Sequence, residues 1–268
     1  MKSFRTRELG QIVAFILTAA LLSLLCAVLL MKLPIADGSP IYQIIFGMEA
    51  ACPTLAAILI MTFKKEKHSL RRFLISKYAT PFKFRFCVIA FLAPLFLYSA
   101  AKVISVIFIP QSSGFTIQLP RAGKLLIILW ALVAEELGWR GFLQERVERL
   151  VGSFFTPLVV GLVFATWHFH FYLSGAMIVP FWALLLGCIF ESYGYYIIVN
   201  KAKGNVIVAS LWHFSGNLFI YLLAINPDAN DGSILPYVIA QCMFGLCFVV
   251  YLICRRRGTL SSLKFPHR

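Results

Sequence analysis

Eight predominantly apolar stretches follow one another along the chain, at 12–32, 41–63, 86–109, 123–142, 157–175, 179–199, 205–224 and 234–254. A helix rises 1.5 Å per residue, so about 20 apolar residues cross the ~30 Å hydrocarbon core of a bilayer. Backbone polar groups cannot stay unpaired in hydrocarbon, so each stretch is expected to be a helix. The fold expected is all-α: a polytopic transmembrane helix bundle of about eight spans. Residues 1–268 form a single membrane domain. Composition agrees, with 60% hydrophobic residues, 13% charged residues and a mean hydropathy of +0.83. A water-soluble domain has nowhere to hide that much apolar surface.

The net charge of +14 has two possible origins, a nucleic-acid surface or the positive-inside bias of membrane proteins. Its distribution favours the second. Segments 1–11, 64–85, 140–156, 200–204 and the C-terminal tail hold 21 of the 25 Lys and Arg. Every second loop is basic, while the opposite loop 225–233 carries Asp228 and Asp231. Both termini are therefore expected on the cytoplasmic side of a cell membrane, with an even number of spans. No nucleic-acid motif is present. Residues Lys64, Lys65, Lys67, Arg71 and Arg72 set topology, with contact to anionic membrane lipid as the alternative. The first apolar run is too long for a signal-peptide core and is expected to be the first span. The seven cysteines fall in apolar runs without a CxxC pair, as small hydrophobes do.

Ionisable groups inside a span cost roughly 2.5–3.5 kcal/mol each on insertion scales and mark function by default. Three spans concentrate them. The fourth carries Glu135, Glu136 and Arg140, the fifth His168 and His170, and the seventh His213 with Asn217. Residues four apart share a helix face, so Glu136 can pair with Arg140, His213 can join Asn217, and Phe164 lies beside His168. Glu135, about 100° round from Glu136, looks elsewhere. Measured along their helices, Glu135, His168 and His213 reach a similar depth in the cytoplasmic half of the bilayer. The bland alternative is a packing ion pair and interhelical hydrogen bonds. Glu49 and Glu191 also lie within spans, where each either lines a cavity or pairs with a residue such as Lys102. His170 is two positions from His168, on another face. His68 and His267 lie in basic loops and carry no signal.

At these residues the chain resembles the CAAX-protease and bacteriocin-processing (Abi) family of intramembrane proteases. That family includes the eukaryotic Ras-converting prenyl endopeptidase and the bacterial lysostaphin-resistance proteins, and the bacterial members are the more similar. Its pattern EExxxR, FxxxH, HxxxN reads here as Glu135-Glu136…Arg140, Phe164…His168 and His213…Asn217, in order and on three spans. The flanking Glu-Glu-Leu-Gly-Trp-Arg-Gly-Phe-Leu and the Pro-Thr-Leu-Ala-Ala at 53–57 also match. The resemblance covers roughly 45–220. It implies an endopeptidase without a nucleophilic side chain. Glu135 is then the general base, His168 helps hold the water, and His213 and Asn217 donate to the oxyanion. Glu136 and Arg140 support, and Trp139 and Trp167 pack or shape the pocket. The stretch with Glu191 matches only loosely. Two histidines and a glutamate also suit zinc; without an HExxH motif, a mechanism with no metal cofactor is preferred. The partners implied are a peptide or membrane-protein substrate and membrane lipids, and the compact chain points to a bacterial plasma membrane. The competing functions are a non-catalytic immunity or binding protein and a proton-coupled transporter.

Overall fold

Helix α1 (Lys2–Lys32) shows what solvent this fold expects. Phe15, Ala19, Ser23 and Ala27, every fourth residue, are buried, whereas Leu17, Leu21 and Leu25 are exposed. An apolar stripe turned outward is stable only where the surroundings are apolar too, as lipid tails are. The computed structural model describes residues 2–35, 39–63, 68–110 and 112–256. After α1 come α2 (Pro40–Thr62), α3 (Ser69–Tyr78), α4 (Arg85–Phe108) and α5 (Ala122–Trp130). A wide-turn segment, Leu137–Leu143, runs into α6 (Gln144–Trp167), and α7 (Phe169–Leu173), α8 (Phe181–Lys201), α9 (Ile207–Leu222) and α10 (Leu235–Arg256) complete the chain. No strand occurs among the described residues. Among the described residues, seven stretches are long and apolar enough to cross a membrane. The chain is a multi-pass, all-α membrane protein.

The fourth expected span, 123–142, departs from a plain helix. It stops after Trp130, passes through turns and resumes at Leu137. The helix then runs on past 142, through the expected loop 140–156, to Gly152. There φ 76° and ψ 171° reverse the chain. Such a φ favours glycine, which lacks the Cβ that crowds the left-handed region. The stretch Leu137–Leu173 is therefore a helical hairpin. Its arms meet again where the Trp139 ring lies 5.3 Å from Phe164 and 5.5 Å from Trp167. Sequence periodicity gave the apolar runs but not the extension, because Gln144–Leu150 is polar enough to read as a loop.

The basic segments gather at one end of the bundle. Arg146 Nε donates to Gln11 Oε1 at 2.8 Å, and Arg149 pairs with Glu8 at 3.3 Å, tying the hairpin tip to the start of α1. Helix α3, which the apolar pattern did not reveal, lies across the same end. Its Lys77 pairs with Glu145, and its Lys77 carbonyl accepts from Val206 N at 2.9 Å. Burial pushes the Lys77 ammonium down, and Glu145 opposes that shift. Helices α8 and α10 run parallel, with Gly187 beside Gln241 and Tyr193 stacked on Phe248, so α10 also finishes at this end. Lys64, Lys65, Lys67, His267 and the tail beyond Arg256 lie outside the described residues.

Candidate active site

The break in the fourth span is where the two glutamates sit. Beyond it the turns are widened: Gln144 N bonds to Trp139 O, five residues back. Wide turns of this kind are rare and cluster at functional sites. Gly138 anchors this segment, since a Cβ there would stand 2.5 Å from the Pro53 carbonyl. Helix α2 is thus in backbone contact with the segment that carries the glutamates. Pro53 lacks an N–H and leaves the Glu49 carbonyl without its helical donor; Ser23 Oγ approaches that carbonyl at 3.5 Å.

Glu135 and Glu136 diverge. Glu136 turns into the protein, where its Oε1 accepts from Arg140 Nη1 at 2.9 Å and lies 2.8 Å from His213 Nδ1. The Arg140 guanidinium also rests 3.7 Å over the Tyr195 ring, which shields it from hydrocarbon. Glu135 turns to a cavity. The Trp139 indole N–H donates to its Oε2 at 3.2 Å, and His213 Nε2 stands 4.0 Å from its Oε1. Next to them, His168 closes α6 with Nδ1 2.8 Å from the Phe164 carbonyl. A carbonyl only accepts, so Nδ1 carries the proton and Nε2 is the nitrogen left for chemistry.

The cavity is about 360 Å³. Glu135, His168, His213 and Asn217 all line it, as do Phe164 and Glu191. Trp139 and Trp167 do not; they stand behind the wall, Trp139 edge to face with Trp167 and Phe164, and Trp167 stacked parallel to Phe164. Among the described residues no three His, Cys, Asp or Glu groups are gathered as a metal site would require. Glu49 and His170 form a separate buried pair at 3.2 Å, outside the cavity wall, and Lys102 donates instead to Ser113 Oγ at 2.6 Å. The sequence reading missed the contact between Glu136 and His213, which joins two spans, and the ring of Tyr195 beneath Arg140. Tyr195 lies four residues beyond Glu191 on α8, and that spacing was the available signal.

Residues 118–219 match the family model of type II CAAX prenyl endopeptidases, Rce1-like. The matched span contains Glu135, His168, His213 and Asn217, four of the polar residues lining the cavity. Over this span the chain is similar to the CAAX-protease and Abi family. A CAAX prenyl protease 2 from Methanococcus maripaludis is 25% identical over 141 residues, 44% of this chain and 47% of the relative. The chain thus spans about half the length of the curated relative it matches. The broken fourth span brings the Glu135 carboxylate to the cavity wall.

Proposed function

We propose that this chain is an intramembrane endopeptidase of the glutamate type, cleaving a peptide or the tail of a membrane protein. The observation that carries the reading is the convergence of Glu135, His168, His213 and Asn217 on one cavity among apolar helices. Its volume falls within the ~300–1,000 Å³ range of ligand sites.

The chemistry is a water attack. Glu135 takes a proton from a water that His168 Nε2 helps to hold. The resulting hydroxide adds to the scissile carbonyl carbon, and the negative charge moves to the carbonyl oxygen. Asn217 donates to that oxyanion through its amide N–H. His213 can donate from Nε2 only when both ring nitrogens carry protons, one directed to Glu136 and one to the oxyanion. The carboxylates on either side supply the counter-charge for that state. Glu135 then returns its proton to the leaving amine as the tetrahedral adduct collapses. Arg140 acts through Glu136, and Glu136 through His213; both are positioning residues. Oxyanion donors fixed in advance in a water-poor site are typically worth about 10²–10³ in rate each.

We place the site in the cytoplasmic half of the membrane, with both termini cytoplasmic, on the strength of the basic end of the bundle. A bacterial plasma membrane fits the chain's resemblance to bacterial members. The metal-free mechanism is preferred because Asn217 serves an oxyanion better than it serves zinc. A transporter also uses broken helices and buried carboxylates, but the family match favours hydrolysis. The test is cleavage of an internally quenched peptide library by the purified protein, wild type against Glu135→Ala. Cleavage by the wild type alone supports the proposal, and equal turnover by both variants contradicts it.

A further inference from the structure

The cavity has a second polar wall, on α4, α8 and α10, that the hydrolytic chemistry does not use. Leu184, Gly187, Cys188, Glu191 and Tyr195 all line the cavity and recur on one face of α8 at helical spacing. Glu191 is therefore on the same face as the reactive wall's neighbours, one turn from Cys188 and one turn from Tyr195. Its Oε1 accepts from the Tyr98 hydroxyl at 3.0 Å, and the Gln241 amide lies against it. No Lys, Arg or His among the described residues forms an ion pair with Glu191. Arg140 and His213, whose charges reach Glu191 only through space, are both engaged by Glu136.

A second observation points the same way. Gln241 is 1% exposed, and its Oε1 has no hydrogen-bond partner. This oxygen and the Tyr237 hydroxyl both converge on Gly187, each 3.0 Å from where a Cβ would be. The missing side chain of Gly187 is what admits them. The wall thus presents a carboxylate without a counter-cation and an unpaired amide oxygen. Both are acceptors, and a buried carboxylate without a counter-charge and a buried amide oxygen without a donor are each costly in a low-dielectric site. The complementary group is positively charged and rich in N–H donors, as an ammonium with three or a guanidinium with five would be.

We infer that Glu191, with Gln241 and Gly187, forms a subsite that binds a cationic nitrogen of the substrate, either a Lys or Arg side chain near the scissile bond or a free peptide amino terminus. The inference rests on the proteolytic reading of the neighbouring wall, and it names what kind of peptide that wall receives. Glu191 sets specificity, not chemistry: the carbonyl is attacked at Glu135, while the charge on the α8 wall of the same cavity fixes the register of the chain.

The probe is a series of quenched peptides identical except at one walked position, which carries Lys, Arg, norleucine or Glu, each with a free and an acetylated amino terminus. Binding is read first, without catalysis, as the thermal shift of the full-length Glu135→Gln protein in detergent. The Lys or Arg peptides should bind about tenfold or more tighter than norleucine peptides, the range of a hydrogen bond to a charged group. That preference should vanish in Glu135→Gln/Glu191→Gln and shift towards the Glu peptide in Glu135→Gln/Glu191→Lys. A preference that follows the free terminus identifies the amino group as the source; one that survives acetylation identifies the side chain. In the cleavage assay the Lys-to-norleucine ratio of kcat/KM should fall towards one in Glu191→Gln. Gly187→Ala, which drives a methyl into Gln241, should lower the same ratio. Equal binding of Lys and norleucine peptides, or a preference unchanged by Glu191→Gln, overturns the inference. A cation preference in binding without any turnover by wild type would leave the subsite standing and instead contradict the protease reading.

Discussion

His213 Nδ1 lies 2.8 Å from Glu136 Oε1, the same oxygen that Arg140 holds at 2.9 Å. One carboxylate oxygen therefore joins the fourth and seventh spans and fixes which nitrogen of His213 meets the cavity. Removing the charge by Glu136→Gln leaves Arg140 buried without its anion, and breaking a buried pair costs about 3–5 kcal/mol. A lower melting temperature in detergent is expected, together with lost turnover. Replacing both partners, Glu136→Leu with Arg140→Met, should recover much of the stability, because apolar groups of similar volume escape the desolvation cost. Turnover should not return, since His213 has lost its anchor. Recovery of both would show that Glu136 acts only in folding.

The contact between Gly138 and Pro53 makes a second prediction. A methyl at 138 would lie 2.5 Å from the backbone of α2, which cannot swing away as a side chain could. Gly138→Ala should cost ~1–3 kcal/mol as overpacking does, and the displaced glutamates should lower the rate by up to about 10²-fold. Gly10→Ala, with nothing within 4 Å, is the matched control and should be neutral or slightly stabilising. Equal behaviour of the two variants in melting and rate would remove the close approach as a cause.

The placement of the basic end is tested by labelling. A cysteine at Arg71, exposed on α3, should be hidden from an impermeant reagent outside intact cells, and one at Ser233 should react, in a background lacking the native cysteines. Ser69 is unsuitable because its hydroxyl is buried on the Met61 carbonyl. Labelling in the opposite sense would invert the orientation and move the site to the other half of the bilayer.

Much of this was legible beforehand, for reasons that also explain what was not. The spans could be read because bilayer thickness sets a length, and Leu17, Leu21 and Leu25 obey it. The divergence of Glu135 and Glu136 followed from helical periodicity alone. The break at 131–136 could not be read, because Ala131–Ala134 is as apolar as any span and nothing in its composition distinguishes a turn from a helix. Periodicity pairs residues within a helix, so it found Glu136 with Arg140 and could not find Glu136 with His213. The same limit hid Glu49 and His170, which belong to helices far apart in the chain.

Metal dependence has its own test. The donor set of the cavity includes Asn217, a poor zinc ligand, and the proposed mechanism needs only the carboxylate of Glu135 to activate water. Purified protein should hold no stoichiometric transition metal by mass spectrometry, and zinc chelators should leave turnover largely intact. Loss of activity on chelation, restored by zinc and abolished by His168→Ala or His213→Ala together with the bound metal, would assign the water to a metal ion.

The central claim is that Glu135 is the base. Glu135→Gln keeps the side chain's size and can keep the contact from the Trp139 indole, but it cannot take a proton from water. Rate and melting temperature should be measured side by side for wild type and Glu135→Gln, on a peptide the wild type cleaves. The account predicts a fall in kcat of about 10²–10⁴, typical of losing a general base, with a melting curve close to that of wild type. Near-wild-type turnover, or a loss that merely follows unfolding, would contradict it.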